Sequence, residues 1–422
     1  MHDKAEAQSS TTSPPKSSRK TIRVDGLVFY LAFSLASILS YVYVVLSSWT
    51  LSADEFGVFN TLLGLIAISG FFASSLQLAV AQAAVSNPTR SALMALVLRT
   101  CQIAFPGVAL ITAAAIPFAS TIGATRSQVV CAGIVAFVVF VACAATGFLI
   151  GIGRVRSQAG INLLGTMLQV SMGWLLMRAG FGVNGVVLGY LINYAAIFIC
   201  SYWISWRFAA DNTSIASGDI PSIRLHRSSV ATFVLAFCPF SLDQLLVQYF
   251  APSFGGSYAA LATMVRPVFY SSYPIIAVAY PHLLRLTDDD SRIRLLLAAL
   301  CGVCCVSGVF ALAILAFPEQ LISMLFSDRF PDIVHYAGSL AFGVAGFSVS
   351  ALGAHALIAA RNPLGFLPSL MALVIQVGMF AFRHDSLAAI VSNQIWTYAI
   401  QLILVIAFIA VPFKRSIWRD QK

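Results

Sequence analysis

The sequence predicts an all-α polytopic membrane protein: twelve transmembrane helices in two six-helix bundles, with both termini cytoplasmic. Three observations predict it. Of 422 residues, 59% are hydrophobic and only 10% charged, whereas about a quarter of an ordinary soluble domain is charged. Twelve apolar segments reach the roughly 20 residues that a helix needs to cross about 30 Å of hydrocarbon. The basic residues then fall almost entirely on one side of that topology.

Residues 1–26 are rich in Ser, Thr, Pro and Lys, with too few large apolar groups to fold, and read as a disordered cytoplasmic tail. No cleavable secretory signal is expected, because the apolar run that follows is too long and lacks a small-x-small cleavage site. The spans fall near 27–46, 57–80, 92–118, 128–150, 158–179, 183–206, 230–250, 256–284, 295–317, 334–360, 363–381 and 387–411. The longest internal polar segment, 207–229, divides them into an N-terminal bundle over 27–206 and a C-terminal bundle over 230–411, with a short cytoplasmic tail at 412–422. Six spans per half make any internal repeat parallel. The second helix of each half supports a duplication: Gly57, Val58, Phe59 precedes Ala79, Val80, Ala81 at nearly the spacing by which Gly256, Ser257, Tyr258 precedes Ala277, Val278, Ala279. The outer loop Pro318–Ile333 is long enough for a short interfacial helix.

Charge orients the chain, because Lys and Arg of short loops are retained on the cytoplasmic side. With the N-terminus inside, the inner segments hold 20 of the 25 basic residues, the outer loops hold Arg126, Arg178, Arg329 and Arg383, and Arg266 lies within a span. This bias and the pull of anionic headgroups account for the net charge of +9, so no nucleic-acid partner is expected.

All eight cysteines lie inside apolar spans. Cys301, Cys304 and Cys305 have no His or acid beside them, and buried thiols usually act as small hydrophobes, so no metal and no cofactor is expected. No GxxxxGK[ST] phosphate loop occurs, and no serine, histidine and acid group together, which argues against ATP hydrolysis and against an enzyme.

Function therefore starts at Arg266. A guanidinium at the bilayer centre costs at least about 2.5 to 3.5 kcal/mol, so it needs a partner, a hydrated cavity or a ligand. Asp243 lies at matching depth across the hairpin of spans seven and eight. Two readings stay open: an ion pair that fixes helix register, and a site for an anionic substrate or a coupling ion (H+ or Na+). Amides within the spans, among them Gln77, Gln102, Asn162, Gln169, Asn193, Gln244, Gln248, Gln376, Asn393, Gln394 and Gln401, must face protein or water; their number points to a hydrated cavity, although any one of them can simply join two helices. Arg99 lies at depth in span three and can snorkel to headgroups. His355 is the one histidine well inside a span. Pro106, Pro117, Pro239, Pro267, Pro274 and Pro281 lie within spans or at their ends, where a missing amide hydrogen bond can kink a helix; three of them crowd span eight, which makes a bent or breakable helix carrying Arg266 an expectation.

Several segments carry a family resemblance. Leu51, Ser52, Ala53, Asp54, Glu55, Phe56 and Gly57 resemble the L-x-x-x-[ED]-[FY]-G start of the second helix in polysaccharide flippases of the multidrug/oligosaccharidyl-lipid/polysaccharide exporter superfamily. Gly151, Gly153 and Arg154 followed by Asn162 are similar to the turn before its fifth helix. Gly180, Gly182, Val183, Asn184 and Gly185 are similar to its G-x-G-V-x-G start of helix six, and Tyr258 to Pro281, with Arg266, to its eighth helix. The resemblance implies two bundles forming a V around a central cavity, in the bacterial inner membrane. It also implies translocation of an undecaprenyl-pyrophosphate-linked oligosaccharide to the periplasmic leaflet for O-antigen or exopolysaccharide synthesis, beside polymerase and export partners. In such proteins cationic cavity residues engage pyrophosphate or acidic sugars; here Arg266 is the only central one and Arg99 the only other at depth.

The expected substrate contacts are Arg266, Asp243, Gln77, Gln244, Asn162, Asn193 and Arg99. The alternatives are a cation-coupled drug or metabolite antiporter of the same superfamily, and a membrane-embedded polysaccharide polymerase or ligase, for which the outer loops are short.

Overall fold

The computed structural model describes residues 16–210, 227–286, 288–327 and 329–419. Within them lie fourteen α-helices: α1 (Lys16–Thr50), α2 (Ala53–Ser86), α3 (Arg90–Ala115), α4 (Arg126–Gly151), α5 (Val155–Leu176), α6 (Gly182–Phe208), α7 (Arg227–Ser241), α8 (Asp243–Phe250), α9 (Gly255–Arg285), α10 (Asp289–Ala316), α11 (Pro318–Phe326), α12 (Val334–Ala359), α13 (Leu367–Phe382) and α14 (Leu387–Arg419). No strand occurs among the described residues, and an isolated bridge joins Thr89 to Ala210.

The helix starts are written in local side-chain chemistry. Ser52 and Glu55 form a capping box at α2, with the Glu55 N–H donating to Ser52 Oγ at 3.2 Å and the Ser52 N–H donating to Glu55 Oε2 at 2.9 Å. Thr125 and Gln128 do the same for α4. Between α5 and α6 the chain folds back at Gly180, whose φ of 87° is left-handed and open to glycine at little cost.

By length and apolar content, eight stretches qualify as spans, one of them, Val155–Phe208, being the whole α5–α6 hairpin; the bent pair α7 and α8 adds another. α9 fits by length but carries Arg266 and four tyrosines, and α13 is a shorter apolar helix of 16 residues. These elements account for the twelve expected spans, and α11 supplies the short helix of the outer loop. The first helix begins at Lys16, so the stretch 16–26, read above as disordered tail, is helical in this structure, whereas residues 1–15 and most of the linker, 211–226, lie outside the described residues. At the other end, the stretch 412–419 continues α14.

Each half has its own packing. In the first, α2 and α6 pack on α4 and α5 on α1; in the second, α12 gathers α9, α10 and α14, and α13 covers α7 and α14. The second half is stapled by aromatic rings, with Phe240 stacked on Phe347 at 4.8 Å and Phe269 and Tyr398 against the same pair. Because lipid tails are as apolar as side chains, such close packing and buried polar bonds hold the helices together, rather than hydrophobic burial. The halves meet along α2, which packs on α7, α8 and α9.

The break in the chain falls in span seven, which ends one helix at Ser241 and turns by 45° between α7 and α8. Pro239, which lacks an N–H, precedes the break. Span eight, despite its prolines, runs unbroken as α9.

Candidate functional site

The break in span seven places Asp243 at the first turn of α8. There its carboxylate takes up a freed backbone donor, the Gln244 N–H, at 2.7 Å to Oδ1, in a position that the helix dipole favours for negative charge. From α9 two groups reach it. The Tyr258 hydroxyl donates to Oδ2 at 3.0 Å, and Arg266 Nη2 donates to Oδ1 at 3.4 Å. The Arg266–Asp243 pair expected from matching depth is therefore formed, with side-chain exposures of 12% and 4%.

The arginine is held loosely. Of the five donors of a guanidinium, one makes the long bond to Asp243, and the planar group lies 5.7 Å from the Phe240 ring centroid. Its side chain stays 12% exposed. One turn further along α9, Tyr270 is 51% exposed.

The next residue ties the pair to the seam between the halves. The Gln244 side-chain amide donates to the Gly255 carbonyl at 2.9 Å and to the Gly57 carbonyl of α2 at 3.4 Å. Gln248, one turn later, sits among Gly57, Gly255 and Gly123 so closely that a methyl group at Gly57 or Gly255 would collide with its amide oxygen. The first turns of α8 thus wedge between α9 on one side and α2 on the other.

The remaining expected contacts lie elsewhere. Asn193 donates to Gln169 Oε1 at 2.9 Å inside the α5–α6 hairpin, and Asn162 is half-buried on α5. Gln77 donates to Thr146 Oγ1 at 2.8 Å between α2 and α4. Arg99 is exposed on α3, which packs on α4 rather than on α8 or α9. Of the seven, the structure brings together Arg266, Asp243 and Gln244.

The amides of the last two spans join helices, the role left open above for any one of them. Gln376 and Gln394 both donate to the Pro239 carbonyl, at 2.8 and 3.0 Å, and Gln376 also donates to Gln394 Oε1. Gln401 donates to the Ala236 carbonyl at 2.9 Å, and Asn393 to the carbonyls of Met379 and Arg383. They satisfy backbone acceptors around the break and at the α13 terminus, as buried carbonyls in lipid require. His355 is a packed residue too: its Nδ1 lies 2.7 Å from the Ala351 carbonyl, and rings of Phe233, Phe237, Tyr273 and Tyr280 surround it.

The pair's two neighbours, Tyr258 and Tyr270, were not read from the sequence. The available signal was their place on α9, eight residues before Arg266 and one turn after it.

No model of a protein family matches the chain, and no curated protein matches it. Solved structures do. The chain is similar to an inward-facing multidrug resistance MATE family transporter of the MOP superfamily, with 14% identity, 91% of this chain and 96% of that one covered, and a TM-score of 0.62. It is similar to the lipid II flippase MurJ in an inward closed conformation, with 12% identity, 91% and 87% covered, and a TM-score of 0.70. A MOP superfamily transporter from Pyrococcus furiosus matches with 12% identity over 90% and 94%, at a TM-score of 0.59. At such identities the likeness establishes the fold, a polytopic all-α membrane fold shared with these transporters.

Proposed function

We propose that this chain is an inner-membrane flippase that carries an undecaprenyl-pyrophosphate-linked oligosaccharide from the cytoplasmic to the periplasmic leaflet of a bacterium, by alternating access of its two halves. The observation that carries this reading is Arg266, a guanidinium within a span whose one bond, to Asp243, is a long 3.4 Å, one turn before the exposed Tyr270. An anionic headgroup that reaches it competes with Asp243 for the cation. Displaced from its partner, Asp243 is then a carboxylate in a low-dielectric setting that takes up H+ or Na+, which couples binding to an ion. Because Gln244 bridges to α2, the exchange bears directly on the seam that must part when the halves rock. The polysaccharide pathway, with a polymerase downstream, is supported by the resemblance of the α2, α5, α6 and α9 segments, and the fold likeness to a lipid II flippase agrees with a lipid-linked cargo.

The test is reconstitution. In proteoliposomes carrying a fluorescent undecaprenyl-pyrophosphate oligosaccharide, wild-type protein exposes the sugar to an external quencher, and Arg266→Ala at equal incorporation does not. Normal flipping by Arg266→Ala overturns the headgroup role.

A second reading, export of a small molecule in exchange for a cation, is favoured by the likeness to multidrug transporters and by the buried carboxylate of Asp243. It predicts gradient-driven efflux of a small organic cation that Asp243→Asn abolishes, with no flipping of the lipid-linked sugar.

A further inference from the structure

We propose that the cytoplasmic end of α6 is a binding site for one anionic diacyl phospholipid of the inner leaflet, separate from the Arg266 site. One face of this helix, formed by Phe198, Ile199, Tyr202, Trp203 and Trp206, lines a trough of about 370 Å³. Ile199 and Trp203 are 63% and 59% exposed there, and Tyr202 stacks on Trp206 at 6.0 Å to make one wall rigid. From Trp206 back to Phe198 a helix rises about 12 Å. One leaflet's hydrocarbon is about 15 Å deep, so the trough has the length of an acyl chain that begins at headgroup level.

Exposed tryptophans at a membrane interface are common by themselves. What distinguishes this face is the charge at its mouth. The Arg207 guanidinium lies 5.5 Å from the Trp203 ring, and that of Arg90 lies 5.4 Å from the Trp206 ring. Arg90 is anchored in that place by its Nε–H, which donates to the Trp206 carbonyl at 2.9 Å. The start of α3 is tied to the end of α6 by the Ala210 N–H donating to the Pro88 carbonyl at 3.0 Å and the Arg90 N–H donating to the Ala210 carbonyl at 3.3 Å. Each cation is thereby held against an apolar wall. A lipid with a net negative headgroup fits both parts, its chain along the trough and its phosphate beside Arg207; a zwitterionic lipid fits only the first.

The experiment is native mass spectrometry of the full chain released from detergent, titrated with phosphatidylglycerol and phosphatidylcholine of identical acyl chains. Wild-type protein is expected to retain phosphatidylglycerol about fivefold or more over phosphatidylcholine. Arg207→Gln is expected to lower that preference about fivefold, Trp203→Leu to weaken both lipids, and Arg126→Gln, at the outer end of α4, to change neither. Equal retention of the two lipids by the wild type, a measurement that needs no variant to fold, overturns the site. So does an unchanged preference in Arg207→Gln.

Discussion

Gln376 of α13 donates its side-chain amide to the Pro239 carbonyl of α7 at 2.8 Å, across the point where the seventh span breaks. The same carbonyl accepts a second bond from Gln394 of α14, so two helices of the second half hold the bend from behind while α8 faces the first half.

Loss of one donor leaves Pro239 with the other. Gln376→Leu also removes the bond to Gln394 Oε1, and is expected to destabilise the protein by about 1 to 3 kcal/mol, the net value of two ordinary hydrogen bonds. The double variant Gln376→Leu, Gln394→Leu strands a buried carbonyl and is expected to cost more than the two single changes together. Thermal unfolding in detergent measures both, and simple additivity would show that the amides do not share this carbonyl's satisfaction.

Arg266→Ala leaves Asp243 buried without its cation, and is expected to cost about 3 to 5 kcal/mol. Adding Asp243→Asn removes the orphaned charge and should recover much of that loss. A double-mutant cycle on unfolding midpoints checks this, and a coupling energy near zero would show that the pair does not bind tightly enough to matter for the fold.

The seam between the halves is backbone against backbone at Gly256, where an added methyl group would strike the Ala53 carbonyl. Gly256→Ala is expected to push the start of α9 away from α2 and to cost about 1 to 3 kcal/mol. Spin labels on Thr50→Cys and Ser253→Cys should report a longer or broader distance in this variant than in the glycine parent. An unchanged distribution would place the flexibility elsewhere.

At the cytoplasmic start of α10, Asp288 accepts from the Ser291 N–H at 2.9 Å. Bonds from Ser291 hold its carboxyl below the usual carboxylate range. A carboxylate lowered by folding stabilises the helix start above its ordinary pKa of about 3.9, and that contribution fades as pH falls through the depressed value. Hydrogen exchange at the Ser291 amide, corrected for intrinsic rates, should therefore accelerate below about pH 4. Asp288→Ala should show fast exchange at neutral pH and lose the acid dependence.

The outer seam carries a separate bond, from Trp49 Nε1 of α1 to the Leu325 carbonyl of α11 at 2.7 Å. Trp49→Phe keeps the ring bulk and removes the donor. It is expected to lower stability by about 1 kcal/mol without altering α6 lipid retention, as measured in the same mass spectra.

The sequence by itself determined the twelve apolar spans, their orientation and the depth at which Arg266 meets Asp243, because span length, positive charge and rise per residue are local quantities that a bilayer reads directly. Only the tertiary structure decided which way each polar side chain faces. Gln244 and Gln376 look alike in sequence, each an amide in an apolar stretch. One bridges two halves at Gly57 and Gly255, and the other repairs a proline-broken helix. Likewise, six prolines within or at the ends of spans were candidates for a kink, and the break formed after Pro239, where glutamines from α13 and α14 donate to its carbonyl. The break frees the carbonyl of Pro239 itself, and the donors that satisfy it lie more than a hundred positions away in the chain. The pair at Arg266 was legible because two opposite charges in lipid have few other choices. The tyrosines that finish the site were not, because a tyrosine is equally at home in a core, at an interface or beside a charge until its neighbours are fixed.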